Sequence, residues 1–261
     1  MPTAQDWEVT VIDTGREHAQ FESLRHLTHG DTAIVVLRDL FPAVSVADQA
    51  ARIQELLAVP ETARLLHAPV ADFLDEIESY HERAEQARAA LARSGVDLPA
   101  RTREALRESF GLSSVEVAVE DGQGAYGEAA VRTRVPGPAA GLASHNIMRD
   151  GDGTNIALTY LAYHLQCVVV VRAAAGGGEL VVHDRAWEPG DEAHRTVDGT
   201  GYTDVVAGTR ADRYVPRDGD VILFNPDRYH RVTPVSAGEL VTVEFCLGFR
   251  DDLLDYAVTW A

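Results

Sequence analysis

The stretch "RDGDVILFNPDRYHRVTPV", residues 217–235, decides the fold. "DVILFNP" is a short apolar run, closed by "NPDRY", which reads as a turn. "YHRVTPV" then resumes in extended form, so the stretch reads strand, turn, strand. From Ser113 onward the same texture recurs in "SVEVAVE", "EAAVRTRV", "GLASHNIM", "ALTYLAYHLQCVVVVR", "GELVVHDRAW", "DRYVPR" and "ELVTVEFCLGF". Valine-rich segments of strand length, punctuated by glycine and proline and with no long helix between them, predict a closed sheet or jelly roll.

The first 110 residues or so read mostly as helix. "SVADQAARIQELLA" begins at Ser45, a good N-cap, and repeats apolar residues at helical spacing. "VADFLDEIESYHERAEQARAALARSG" reads as one longer amphipathic helix ending at Gly95, and "PARTREALRESFG" as a third. "WEVTVID" and "TAIVVLRDL" precede them as strands. Helices followed by strands predict an α+β fold with the helices on one face of the barrel. The expected organisation is a mainly helical support region, 1–111, and a β core, 112–261, forming one integrated domain.

Of the 261 residues, 46% are hydrophobic, enough for a sizeable core. The 41 acidic residues against 23 basic ones give a formal charge of −18, which repels nucleic acid and anionic membrane surfaces. A small-molecule substrate fits better, and a homodimer stays open. Cys167 and Cys246 each lie in an apolar run, as small buried hydrophobes do in a reducing cytosol. The start, "MPTAQDWEVTVID", has neither a basic segment nor an apolar h-region, so no secretory signal is expected. "CVVVVRAAA" is too short to cross a membrane as a helix. There is no phosphate-binding glycine loop, no C-x-x-C pair and no G-x-S-x-G elbow.

His145 and His230 lie 230 − 145 = 85 residues apart, each near the end of an expected strand. Between them stands "GGGELVVHDRAWEPGDE", and "RDGDVILFNPDRYHRVTPV" surrounds the second histidine. With these pieces in this order, residues 112 to 250 resemble the Fe(II)/2-oxoglutarate-dependent oxygenases, closest to the bacterial branch of hydroxylases and halogenases. The resemblance implies a double-stranded β-helix, with Fe(II) held by a His-x-Asp/Glu pair and a distal histidine. Two imidazoles and one carboxylate leave three coordination positions open. His145 and His230 are then the metal ligands.

Two positions depart from the pattern. Where the resemblance implies a metal carboxylate, the sequence has Ile147. Where it implies an arginine for the far carboxylate of 2-oxoglutarate, it has Leu240. In the halogenase branch glycine or alanine stands at the first position and chloride fills the room, which an isoleucine side chain would largely occupy. Use of 2-oxoglutarate is therefore open.

Several residues could compensate. Alternation along "ELVTVEFCLGF" puts Leu240, Thr242, Glu244 and Cys246 on one face, toward the barrel. Glu244 is thus a candidate substitute ligand or general base. His164 or His183 could supply a third imidazole. Asp150 and Asp152 sit close by, in a stretch that reads as a turn. Arg132, Arg134, Arg172 and Arg185 could take a carboxylate of cosubstrate or substrate, with Arg134 and Arg172 the cofactor-binding candidates and Arg185 a catalytic one. Tyr229 and Asn225 are candidate pocket liners, Tyr229 also a catalytic one. The leading expectation is an atypical non-haem iron oxygenase tailoring a small molecule in bacterial natural-product biosynthesis. The alternatives are a non-redox enzyme, a binding protein on the same scaffold, or a 2-oxoglutarate-dependent halogenase.

Overall fold

The structure, a computed structural model, describes residues 7–16, 19–197, 199 and 201–261. In chain order these form β1 (Val9–Asp13), α1 (Phe21–His29), β2 (Ile34–Arg38), α2 (Ala43–Leu57), α3 (Pro60–Leu66), α4 (Ile77–Arg93) and α5 (Leu98–Phe110). Then come β3 (Ser114–Val117), β4 (Val119–Glu120), β5 (Gly124–Ala125), β6 (Ala130–Arg134), the short α6 (Ile147–Asp150), β7 (Tyr163–Arg172), β8 (Gly176–Gly177) and β9 (Leu180–Ala186). The chain finishes with β10 (Ala211–Tyr214), β11 (Val221–Phe224), β12 (Arg228–Val232), β13 (Val235–Ala237), β14 (Leu240–Phe249) and β15 (Tyr256–Trp260).

The helical half differs from the sequence expectation in three places. α2 starts behind Pro42, ahead of Ser45. The expected helix over 70–95 is broken: Val70–Phe73 forms a 3-10 turn, and α4 begins only at Ile77, after Glu76 leaves the helical region. The pattern reading also passes over α1 and α3, whose seven to nine residues are too few to show a period.

The main sheet runs β1-β2-β11-β7-β14-β15-β3, with β6 also paired to β14. β2 pairs with β11, so the N-terminal segment extends the sheet of the β half. A smaller sheet, β10-β9-β12, faces it, and Ala143 bridges to His230 at its edge. Together they make a double-stranded β-helix. Its inward faces share a cluster containing Val36, Val170, Val182, Ile222, Phe224 and Leu240.

β14 shows why the layers form. Its odd positions, from Val241 through Phe245 to Phe249, are buried in the cluster shared with α1, α2 and α5. Each such side chain contributes about 1.5–3 kcal/mol when fully buried. Its even positions face the barrel, as the alternation predicts, and here the polar residues sit. Gly248 is required on that face, because a Cβ there would stand 2.6 Å from both Leu161 and Trp260.

Candidate metal centre

His230 lies on β12 opposite Val182 of β9 and opposite Ala143, so its imidazole shares their inward face. The ring stands edge-on to Phe224, centroids 4.9 Å apart. His145, two residues beyond Ala143, points to the same space, and its N–H donates to Pro226 O at 2.8 Å. The two imidazole centroids are 5.5 Å apart and inclined at 60°. Two imidazoles sharing one metal at about 2.1 Å would place their centroids roughly 4.5–5.5 Å apart, so the pair fits one ion.

Protonation favours coordination. His230 Nδ1 lies 2.8 Å from Arg228 O, and only a protonated nitrogen can donate to that carbonyl. Nε2 therefore keeps its lone pair. Burial pushes the His230 pKa down to about 3, with His145 adding to the effect. His145 keeps contact with solvent. Desolvation by the protein around its ring still lowers its pKa, Asp150 opposing. Both rings are neutral donors near pH 7.

Among the described residues no group of three His, Cys, Asp or Glu side chains could hold a metal ion. The residues present that fit a metal ion are the two imidazoles, by their spacing and by the free Nε2 lone pair of His230. Ile147 behaves differently from the sequence expectation. Asn146 caps α6, its Oδ1 accepting from Met148 N at 3.0 Å and Arg149 N at 3.2 Å. The expected strand is therefore absent here: only Leu142 and Ala143 form isolated bridges before the helical turn. Ile147 turns into an apolar cluster with Tyr80, Leu158, Leu161 and Trp260, only 7% exposed. Its side chain is thus packed among Leu161, Trp260 and Cys246, the neighbours of the inward face of β14.

The other proposed ligands are placed elsewhere. His164, 5% exposed, has Nε2 3.2 Å from His145 O and so supports the ligand's backbone. Burial lowers its pKa to about 4. His183 follows Val182 on β9 and so lies on the outer face, away from His230; its Nδ1 is 3.4 Å from Thr209 Oγ1. Asp150 is held by Arg149 at 2.7 Å and by Asn146 N at 2.9 Å. Asp152 is exposed in the turn that follows.

The inward wall runs along three strands. On β6, Arg134 pairs with Leu240, Arg132 with Thr242 and Ala130 with Glu244. Arg134 thus stands directly across from the position where the resemblance implies the cosubstrate arginine. It is half-buried and makes no hydrogen bond or ion pair among the described residues, and its charge helps depress His230. Arg132 donates to His67 O at 2.8 Å. Glu244 Oε1 accepts from Thr242 Oγ1 at 2.6 Å, and Cys246 Sγ lies 3.4 Å from Gln166 Oε1. Gln166 and Phe224 were not singled out in the sequence. Two-residue alternation from His164 on β7, and the cross-strand pairing of Phe224 with Gln166, place them on this wall.

Three further expectations are corrected. Tyr229 and Arg185 both lie on the outer face of the small sheet. Tyr229 is fully buried and donates to Asp191 Oδ2 at 2.9 Å, while Arg185 binds Asp191 Oδ1 at 2.6 Å and the Val205 carbonyl. They anchor the segment that follows Trp187 and do not reach the histidine pair. Arg172 is ion-paired with Glu239 and lies 3.3 Å from Gln54 of α2. It lines a cleft of about 450 Å³ between α2, α3 and the outer face of the sheet, which contains neither histidine of the pair. Asn225 closes the β11–β12 turn, accepting from Asp227 N at 3.0 Å.

The fold and the family match below make this chain a non-haem iron oxidoreductase of the 2-oxoglutarate oxygenase class. The model of the carrier-protein-independent halogenase WelO5 family matches residues 9–246, and the chain belongs to that family. Among solved structures it is similar to an N-substituted L-amino acid dioxygenase from Burkholderia ambifaria AMMD, with 13% identity, 92% of this chain and 91% of that one covered, and a TM-score of 0.61. The same dioxygenase in complex with alpha-KG gives 13% identity, coverage of 92% and 90%, and a TM-score of 0.58. At this identity the likeness shows the fold. No curated protein matches the chain by sequence. No helix among the described residues is long and apolar enough to cross a membrane.

Proposed function

We propose that this protein is an iron- and 2-oxoglutarate-dependent halogenase of a free small molecule in a biosynthetic pathway. The observation that carries the reading is the pair of cavity-facing histidines with no third protein donor among the described residues, which leaves a position for a halide. His145 and His230 would hold the iron, and Arg134 would hold the far carboxylate of 2-oxoglutarate through a charge-assisted pair. His164 fixes the His145 carbonyl. Phe224 packs against His230 and keeps water from that side. When bound, the iron supplies the oxidising power: substrate C–H, chloride, 2-oxoglutarate, O2 and a proton give C–Cl, succinate, CO2 and water. Absence of a tether to a carrier protein follows the description of the family.

The test is an anaerobic titration with Fe(II), then 2-oxoglutarate, then chloride, followed by calorimetry and the visible charge-transfer band. The expected result is iron binding, a band on adding 2-oxoglutarate, and a further shift of that band with chloride. Iron binding without the band would mean an oxygenase that does not use 2-oxoglutarate. No iron binding would mean non-redox chemistry on this barrel.

A further inference from the structure

β14 carries one acid into the cavity, and no described residue of the protein neutralises it. Glu244 stands on the inward face opposite Ala130 of β6 and Val168 of β7, neither of which can donate a side-chain bond. It is half-buried. Its one hydrogen bond is from Thr242 Oγ1 at 2.6 Å, and no arginine or histidine lies within ion-pair distance among the described residues.

The two neighbouring arginines are engaged or remote. Arg132, opposite Thr242, is committed to His67 O at the end of α3. Arg134 is opposite Leu240, four residues along the strand, or roughly 13 Å at 3.3 Å per residue. A carboxylate in such a cavity needs a donor or a cation. On the same face of β14 as Glu244, Gly248 pairs with His164, whose ring stands 3.2 Å from His145 O, so Glu244 lies on the face that leads to the histidine pair.

We propose that Glu244 binds a protonated amine of the substrate, which makes the substrate class small molecules carrying a basic nitrogen. This rests on the metal and cosubstrate reading above, since it assigns Arg134 to 2-oxoglutarate and leaves Glu244 for the substrate. The cross-strand partners of Glu244, Ala130 and Val168, are apolar, matching the carbon skeleton that would bear the amine. The acidic surface, with a formal charge of −18, draws such cations toward the protein.

The test uses the full chain loaded with Zn(II), as a diamagnetic stand-in, and 2-oxoglutarate. Benzylamine and benzyl alcohol are the probes, followed by ligand-observed saturation-transfer NMR. The wild type should bind the amine about tenfold or more tighter than the alcohol, as a charge-assisted bond allows. Glu244→Gln should abolish that preference while leaving Zn(II) and 2-oxoglutarate affinity unchanged, and Glu244→Asp should keep part of it. Equal binding of the two probes, or binding of neither, by the loaded wild type would overturn the proposal. So would a preference that survives Glu244→Gln. Loss of Zn(II) from Glu244→Gln would assign the carboxylate to the metal instead. Failure of the wild type to load Zn(II) and 2-oxoglutarate would strike the metal and cosubstrate reading, a distinct result.

Discussion

Replacing Arg134 with leucine should remove most of the affinity for 2-oxoglutarate and little of the stability. The guanidinium is half-buried and makes no hydrogen bond or ion pair among the described residues, so its loss strands no buried group. Two charge-assisted bonds to a carboxylate are worth about 1.5–3 kcal/mol each, and in a partly wet cavity the pair should contribute about 3 kcal/mol. At 1.4 kcal/mol per factor of ten, the dissociation constant should rise on the order of 100-fold. The assay is anaerobic titration of the Fe(II)-loaded protein with 2-oxoglutarate, reading the charge-transfer band. The pairing of β6 with β14 adds a stricter control. Leu240 is the direct partner of Arg134, and directly opposed Cβ atoms lie about 4.5–5.5 Å apart. Arg134→Leu combined with Leu240→Arg should therefore return the guanidinium to nearly the same place and recover about tenfold or more of the lost affinity. Unchanged affinity in Arg134→Leu, or no recovery in the swap, would refute the assignment.

Two further outcomes test the frame around the site. Asp191 is 4% exposed and accepts from Tyr229, Arg185 and Glu188 N. Asp191→Ala should cost about 2–3 kcal/mol in a denaturant titration, below the 3–5 kcal/mol of a fully buried broken pair because Arg185 is partly exposed. Metal affinity should hold within about tenfold, since the network lies on the outer face; a parallel collapse of metal binding would contradict that placement. His81 is buried against Tyr80 and Tyr126 with neither ring nitrogen in a hydrogen bond of normal geometry. Burial lowers its pKa, the Ala125 backbone opposing. The unfolded chain therefore takes up a proton that the native state resists as pH falls below about 6.5, so stability present above that pH is lost toward acid. His81→Phe should raise stability at pH 7 by about 1 kcal/mol and flatten the acid limb, read as unfolding midpoints from pH 7 to 5. A variant less stable than wild type at both ends would show that the imidazole is needed.

Much of the site was legible because a strand repeats every two residues. The odd positions of β14 are so uniformly apolar that the inward direction of Glu244 follows, whereas His145 and His230 were candidates only through the family resemblance. Arg172 shows where the rule fails. The pairing of β7 with β14 shifts between Val241 and Thr242, so Arg172 pairs with the outward Val241 although simple alternation from Val170 turns it inward. Ile147 was misread for a related reason: Asn146 starts a helical turn, and a strand reading continues past it. The sequence signal was present in the capping asparagine. The Tyr229–Arg185–Asp191 network was not legible, because it depends on a segment folding back over the outer face of the small sheet.

The two faces of β14 answer to different demands. One is locked by the helices; the other mixes packed positions such as Leu240 and Gly248 with the half-buried polar Glu244. A change at Glu244 can therefore alter what the barrel holds with less effect on what holds the barrel together. An anchoring charge can stand on either of two neighbouring strands and still reach the same interior. On such a scaffold, a missing residue at an expected position is weak evidence of a missing activity, and the neighbouring rung of the ladder is the place to look for its replacement.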